Sequence, residues 1–457
     1  MTELDVAVIG GGFSGCAVTA QLAHRAPSGM SLALFEPGTL GHGAAYGTRH
    51  AEHLLNTRVN MMSIFPDDPG HFQRWLGPDS AADTFESRSR YGVYVNATAV
   101  HALERPGFTH VRERVTSIVR RQDGAFTIVT ESGQRYVARS VALATGNPLP
   151  DDSFLPQAVR LHPGYVPDPW RFDYRQIGGH VLLIGSGLTA LDVLVALDNG
   201  GHRGAVDVVS RHGRYPEVHA SIAPYDVVPA LDTRSAHALL RSFRRHVEDA
   251  RRRGFDWRAV VDAVRQEAEA IWRRLPAGER RRFERHLRGH WERRRHRAPE
   301  AVAAVRRRYE ERGRLHTYAG TLASMEGTTA VLALRDGTFA RLTPDWIVNC
   351  TGLSGASGHR KNGALAALFD ADLLSVAPGG LGLRADGDLA AIDGQGNPVP
   401  GLWITGPPAR GSRFEATAVP ELRVMAEQAA VGIIGALEKR SREAGNEQAP
   451  LGSGRYN

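Results

Sequence analysis

Gly10, Gly12 and Gly15 stand in a GxGxxG spacing directly after the short apolar run Leu4 to Ile9, and Glu36 follows the next apolar run, Ser31 to Phe35. Each residue type has a task in that order. The first glycine permits a tight turn, the second lets the backbone approach a pyrophosphate, and the third lets helix pack on strand. The helix opening at Phe13 and Ser14 offers free N–H groups and a positive dipole end to the phosphates. Glu36, followed by Pro37, is placed to accept hydrogen bonds from ribose hydroxyls. A lone glycine motif is a weak signal. Strand, turn, helix, strand and acid together specify dinucleotide binding.

A second turn repeats the design. Gly185, Gly187 and Ala190, with Leu188 and Thr189 between them, follow the strand-like run Val181 to Ile184. The next run, Val206 to Val209, ends in Ser210-Arg211 instead of an acid. An acid would repel a 2′-phosphate, whereas a hydroxyl and a guanidinium bind one through charge-assisted hydrogen bonds. This half therefore reads as a site for NADPH rather than NADH. The competing reading makes Arg211 one more surface arginine. No residue stands out as a catalytic nucleophile or acid–base group, and no metal-ligating set is read.

The positioning elements follow from the pattern. Alternating β-type runs from Arg112 to Ala144 close on Ala144-Thr145-Gly146, and Trp346 to Cys350 closes on Thr351-Gly352. A last strand, Leu402 to Thr405, leads into Gly406 and a helix from about Pro420 to Leu437.

The chain has 457 residues, enough for two to three domains. With 42% hydrophobic and 23% charged residues it fits an ordinary globular protein. No window approaches the roughly 18–20 apolar residues of a membrane span. The acidic N-terminus lacks the basic start of a signal peptide. The two cysteines, Cys16 and Cys350, exclude a disulfide framework and argue against a cysteine-ligated zinc. A reducing cytoplasm is the expected setting.

The net charge of +7 would invite nucleic acid. The excess, however, is local: Arg234 to Arg314 holds 25 arginines against 12 acids, and the rest is slightly acidic. Only Lys361 and Lys439 are lysines, a bias expected from a GC-rich genome. Apolar residues in the basic segment recur at helical spacing, for example Leu239, Leu240, Phe243 and Val247, so it reads as an amphipathic helical subdomain. Alternatively its arginines, with His286, His290 and His296, line an active site and hold a carboxylate substrate. No nucleic-acid-binding module is readable, and neither nucleic acid nor membrane is an expected partner. A homo-oligomer is left open.

Two dinucleotide units, one interrupting the other, resemble the flavoproteins with two dinucleotide-binding domains. The resemblance narrows with Gly41-His42-Gly43-Ala44-Ala45-Tyr46-Gly47-Thr48, His53-Leu54-Leu55-Asn56, Pro66-Asp67-Asp68-Pro69, Arg211-His212-Gly213 and Glu415-Ala416-Thr417-Ala418-Val419-Pro420. These are similar to a bacterial FAD/NAD(P)-binding family related to N-hydroxylating monooxygenases, the ornithine-type and aspartate N-oxygenases.

The resemblance implies an α/β fold with two Rossmann-like domains, for FAD and NADPH, the second inserted in the first, plus the helical subdomain. It implies that Gly43, Ala45, Tyr46, Asn56, Met62, Ser63 and Val115 join the glycine turns, Ala144-Thr145-Gly146, Thr351-Gly352, Gly406, Thr417 and Ala418 in holding the cofactors. The stretch Leu55 to Ser63 would run along the flavin, and the helix after Glu415 would point its N-terminus at the flavin's pyrimidine end. His162, Tyr165 and Glu415 would meet substrate; a Pro-rich crossing between domains is the alternative for the first two.

The implied reaction is NADPH- and oxygen-dependent N-oxygenation of an amine or amino-acid-like substrate through a C4a-(hydro)peroxyflavin. An NADPH-dependent reductase or dehydrogenase, or a non-catalytic FAD-binding protein, stays open. Disulfide reduction needs a dithiol beside the flavin, and none is present. The expected units are 1–165 (FAD, first part), 166–232 (NADPH, first part), 233–314 (helical insertion), 315–352 (NADPH, last part), 353–440 (FAD, last part) and a tail, 441–457.

Overall fold

Five parallel strands rich in Val, Ile, Leu and Ala need both faces covered, and that requirement builds the first unit. The computed structural model describes residues 1–148, 150–352 and 356–447. The first unit starts with β1 (Thr2–Ile9), α1 (Phe13–Arg25), β2 (Leu32–Phe35), α2 (Gly43–Tyr46), α3 (His71–Leu76), α4 (Arg88–Leu103), β3 (Phe108–Val111), β4 (Val115–Arg120), β5 (Phe126–Thr130) and β6 (Arg135–Leu143). A short α5 (Gln157–Arg160) leads to the second unit, which starts with β7 (Tyr165–Val166), β8 (Val181–Ile184), α6 (Leu188–Asn199) and β9 (Val206–Ser210).

Helices α7 (Ala236–Arg252), α8 (Trp257–Gln266), α9 (Ala268–Arg274), α10 (Ala277–His286) and α11 (Arg288–Arg295) follow, then α12 (Glu300–Glu311). The second unit ends with β10 (Leu315–Glu326), β11 (Thr329–Leu334), β12 (Phe339–Leu342) and β13 (Trp346–Asn349). The chain returns to the first unit through α13 (Ala356–Arg360), α14 (Gly363–Asp370), β14 (Ala390–Ile392), β15 (Pro398–Ile404) and α15 (Val419–Glu447).

The first sheet runs β14-β15-β6-β1-β2-β3, with β4 and β5 as an antiparallel arm on β6. Val6, Ala7 and Val8 of the central strand β1 have no exposed surface. Strand order reverses at β1, which pairs in parallel with β2 on one side and β6 on the other. The second sheet runs β12-β11-β10-β9-β8-β13-β7, and its reversal falls at β8. In open α/β sheets ligands bind outside the carboxyl ends of strands at such reversal points, and both glycine turns lie there.

Helix α15 closes the first unit over α1. Gly432 allows its close approach, because a Cβ there would lie 2.5 Å from the Trp403 indole. The helix also continues past Leu437 to Glu447, where a polar tail was expected. A second difference concerns the basic segment. α12 packs Val302, Val305 and Tyr309 into the core around α6, so it is the crossover helix between the parallel strands β9 and β10. Only α7–α11 form the inserted subdomain, with its own core around Leu239, Val260, Ile271, Trp272 and Phe283. Its high Arg content had hidden the change of partner at Pro299. Among the described residues no helix is long and apolar enough to cross a membrane.

The subdomain is anchored through Phe414, whose ring stacks on Trp272 at 4.6 Å and meets Phe283 at 5.6 Å. Removing a large aromatic from such a contact costs about 3 kcal/mol. Phe414→Ala is expected to lower stability by that amount in urea unfolding. It should also expose the inserted helices to limited proteolysis before the two sheets are cut.

Candidate functional site

The first turn has the geometry its glycines require. Gly10 adopts φ +103°, and a Cβ on it would lie 2.5 Å from the Ala144 carbonyl oxygen. A Cβ on Gly15 would collide with the Gly10 carbonyl at 1.8 Å. Gly12 caps α1 without any side-chain hydrogen bond, so the first N–H groups of the helix are left for a ligand. Gly43 comes against Gly12 from α2, and Gly406, at φ +76°, comes against the Ser14 hydroxyl. Backbone from four segments thus converges on one spot. This cradle fits a pyrophosphate. Glu36 is held beside it, with Oε2 accepting from the Gly11 N–H and Oε1 from the Gly38 N–H, both at 2.9 Å.

The other expected contacts of this unit distribute unevenly. Tyr46 and Met62 are buried near the turn, and Tyr46 packs against Phe13 at 6.3 Å. Pro37 and Ala45 are exposed. Thr145 has a buried hydroxyl without a partner, beside Gly146 at φ +71°. An orphaned donor there fits a ligand group better than a packing role. The Ser63 hydroxyl is committed to the carbonyls of Phe65 and Asp68, which makes it a brace for its own loop. Val115 is buried on β4. Thr417 and Ala418 precede α15, and the Thr417 N–H donates to the Glu415 carbonyl at 2.7 Å.

The second turn is built alike. Gly185 has φ +111° with a Cβ position 2.4 Å from the Cys350 carbonyl, and Gly187 caps α6 with open space around it. Ala190 is fully buried, while Leu188 and Thr189 are partly exposed. Thr351 accompanies this turn, its hydroxyl donating to Asn349 Oδ1 at 2.6 Å, with Gly352 next at φ +88°. Ser210 Oγ lies 2.8 Å from Ser186 Oγ, and Arg211 is exposed beyond it. His162 and Tyr165 lie elsewhere, at the β7 edge of the second sheet. His162 Nδ1 accepts the Gly164 N–H at 3.1 Å, and the Tyr165 hydroxyl donates to Asp152 at 3.2 Å. Burial and the Asp152 carboxylate push the Tyr165 phenol up.

Glu415 faces the inserted helices. It forms a buried ion pair with Arg295 and accepts from Trp291 Nε1 at 3.0 Å. Arg265 grips Glu421 at 2.9 and 3.0 Å, and Arg413 lies 3.6 Å from Glu269. The subdomain therefore sits on the segment that leads into α15.

One group of residues went unremarked as a site in the sequence. Arg88 of α4 lies 3.3 Å from Asp192 of α6, and both are largely buried between the units. The Arg88 guanidinium also stands over the Trp170 ring at 5.2 Å. His53 bridges the same boundary. Its Nε2–H donates to the Asp192 carbonyl at 3.1 Å, and its Nδ1 accepts from the Thr48 hydroxyl at 2.9 Å. Burial, then His50 and Arg88, lower its pKa to about 3, so the ring is neutral. Burial raises Asp192 to about 6 against the pull of Arg88. A lone acid in the apolar run Leu188-Thr189-Ala190-Leu191-Asp192-Val193-Leu194 was the available signal.

Two reversal points, each with a glycine-capped helix N-terminus, define a flavoprotein fold with two dinucleotide-binding units. Residues 7–148 match the family model described as FAD-NAD(P)-binding, and this part of the chain is such a domain. The cofactors this domain type takes are FAD and NAD(P). Ornithine hydroxylase (PvdA) from Pseudomonas aeruginosa has the same fold at 15% identity and TM-score 0.64, covering 95% of this chain and 100% of its own. Bacillithiol disulfide reductase Bdr (YpdA) from Staphylococcus aureus is similar at 12% identity and TM-score 0.59, with 95% and 99% covered. A flavin-containing monooxygenase from Stenotrophomonas maltophilia is similar at 17% identity and TM-score 0.53, again over 95% and 99%. No curated protein matches the chain by sequence.

Gly15→Ala should abolish FAD retention while leaving a folded protein, checked by the flavin absorbance of the purified variant and its circular dichroism. For the pair between units, Arg88→Met strands a buried carboxylate, so a loss of about 3–5 kcal/mol is expected. A raised acid pKa stabilises the fold below the unfolded value and ceases to do so as pH rises through about 6. Urea unfolding should thus show stability falling between pH 4 and pH 7.5 by up to about 3 kcal/mol from this group. Asp192→Asn should remove that part of the slope.

Proposed function

We propose that this chain is an FAD-dependent, NADPH-consuming monooxygenase that oxygenates the nitrogen of an amine or amino-acid-like substrate. The observation that carries the choice is the state of the cysteines. Disulfide reduction requires an accessible thiolate that attacks the substrate disulfide. Cys16 is buried in α1, donates to the Gly11 carbonyl at 3.2 Å, and is pushed up to about 12 by burial. Cys350 is buried at the end of β13 in the other unit and is likewise pushed up. Neither has a neighbouring thiol, and neither is a thiolate near neutral pH. The fold shared with ornithine hydroxylase and the flavin-containing monooxygenase supports oxygenation. The same fold in disulfide and thioredoxin reductases makes a reductase for a non-disulfide acceptor the rival.

The bound flavin would supply two-electron chemistry between NADPH and oxygen. The chain's own residues orient and enclose. The N–H groups at Phe13, Ser14 and Gly15 would hold the flavin pyrophosphate, and Glu36 the adenosine ribose. Gly187 and the first turn of α6 would hold the NADPH pyrophosphate, with Ser210 and Arg211 at its 2′-phosphate. The N-terminus of α15 directs a positive dipole end at the cofactor. The inserted helices, fastened through Phe414 and Glu415, exclude water over that end, which an oxygen-using flavoprotein needs to limit side reactions. Glu415 is the proposed substrate-side residue, through its hold on Arg295, whereas His162 and Tyr165 are engaged with local partners at the β7 edge.

The test is NADPH oxidation under oxygen across a panel of amines and amino acids, with hydrogen peroxide followed in parallel. A substrate that raises NADPH and oxygen consumption without extra peroxide is the expected result. Turnover that needs no oxygen and is driven only by an added electron acceptor would establish the reductase instead. In the same assay Arg211→Ala should narrow the preference for NADPH over NADH by roughly 10- to 100-fold.

A further inference from the structure

The loop after β9 gathers cations that, among the described residues, pair with no carboxylate. Arg211, His212 and Arg214 are exposed on it. Its path is fixed, because Ser186 Oγ lies 2.8 Å from both Ser210 Oγ and the Arg214 carbonyl oxygen. That ties the loop to the second glycine turn. Gly213, at φ +59°, donates its N–H to Ser210 Oγ at 3.1 Å and shapes the bend.

Two other parts of the chain reach the same place. Ser210 is registered opposite Ala319 on the neighbouring β10. Arg335, in the turn between β11 and β12, donates its backbone N–H to the Ala319 carbonyl at 2.9 Å. Its guanidinium meets His212 Nδ1. From the opposite side the loop is stitched to α11. The Glu217 N–H donates to the Arg293 carbonyl at 3.0 Å, and the Ala298 N–H to the Glu217 carbonyl at 2.8 Å. This brings His290 and Arg294 up to Arg214. Partial burial, then Arg294, Arg214, Arg293 and His212, hold the His290 imidazole below its ordinary pKa.

The acids nearby are engaged. Glu217 pairs with Arg293 at 2.9 Å, and Asp336 accepts the Thr338 N–H and hydroxyl at 3.0 and 2.7 Å. Among the described residues Arg211, Arg214, Arg294 and Arg335 form no ion pair, whereas nine of the seventeen arginines of α7–α11 do. Like charges brought together by three separate elements repel one another unless an anion joins them.

We infer that Arg335 and the α11 residues His290 and Arg294 complete, with Arg211, His212 and Arg214, a basin for the phosphate monoester of NADPH. The inserted subdomain is then part of the cofactor site. A monoester dianion accepts several charge-assisted hydrogen bonds, and guanidinium forks match its oxygens. The inference rests on the NADPH reading and adds the residues that make the preference.

Isothermal titration of the FAD-loaded protein with adenosine 2′,5′-bisphosphate, against adenosine 5′-monophosphate, tests both levels. Wild type should bind the bisphosphate at least tenfold more tightly. Arg335→Ala and Arg294→Ala should each weaken the bisphosphate by roughly 10- to 100-fold and leave the monophosphate unchanged. Arg281→Ala, exposed on α10, should change neither. Arg335 lies in an exposed turn, so its variant reports binding even where the α11 variant loosens the subdomain. Bisphosphate binding unaffected by Arg335→Ala and Arg294→Ala, yet lost with Arg211→Ala, would overturn the basin and leave the NADPH reading intact. Equal binding of the two nucleotides by wild type would overturn the NADPH reading itself, and the basin with it.

Discussion

A charged pair buried between two sheets decides how one nucleotide-binding unit faces the other. Each sheet can be built from its own strands, and each glycine turn from its own glycines. Neither fixes the angle between the carboxyl ends of β1 and β8. Arg88 and Asp192 do so together with His53, whose neutral ring spans from Thr48 in the first unit to the Asp192 carbonyl in the second. Such a pair gives little net stability, because both charges lose their water. It discriminates instead, since any other arrangement leaves a buried guanidinium or carboxylate alone. The His50 contact to the Phe172 carbonyl at 3.2 Å and the Arg58 contact to the Ala220 carbonyl at 2.9 Å continue the same boundary. Hydride transfer between two bound cofactors needs their rings held a few ångströms apart, so fixing this angle comes before any chemistry.

Legibility in the sequence follows the range of the interactions. The glycine turns were readable because backbone geometry dictates them locally: Gly10 and Gly185 need left-handed φ, and Gly15 has no room for a Cβ. The strands were readable from apolar runs, and the nesting of one unit in the other from the order of the turns. Asp192 was not, since its meaning depends on a partner 104 residues earlier in the chain. Ser63 reads as a cofactor contact by position, yet its hydroxyl braces its own loop. The end of the inserted subdomain was misplaced for a similar reason. Arginine content carries through Arg297 into α12, while the packing partner changes there from the insertion's core to α6.

The basic charge of the chain takes a different form in three dimensions. Many of the arginines between Arg234 and Arg314 meet a carboxylate: Arg258 with Asp256, Arg265 with Glu421, Arg288 with Glu284, Arg297 with Asp262 and Arg308 with Asp198 are examples. Arg265 with Glu421, Arg293 with Glu217 and Arg295 with Glu415 leave the subdomain and reach other elements, which is how an insertion with a small core of its own gains a fixed place. A solvated basic face for a polyanion would have left them free. Exposed pairs of this kind add little stability individually. Their number matters for orientation, and Phe414 with Trp272 supplies the apolar contact beneath them.

The inserted helices touch both cofactor units through different chemistry. Toward the first unit the contacts are satisfied: Arg295 with Glu415, Trp291 with the same carboxylate, and Arg410 with Glu292 at 3.6 Å. Toward the second unit one pair, Arg293 with Glu217, is closed, and the neighbouring cations stay open. A rigid attachment on one side and an unneutralised face on the other is what a cofactor-facing subdomain requires. On the proposed reading, the closed side would keep water from the flavin end, and the open side would gain its counter-charge from a phosphorylated nucleotide. A subdomain serving packing alone would have been most stable with both faces neutralised, and the available acids, Glu217 and Asp336, are turned to other partners. The residual charge on this face costs stability through like-charge repulsion, which fits the proposed recognition role.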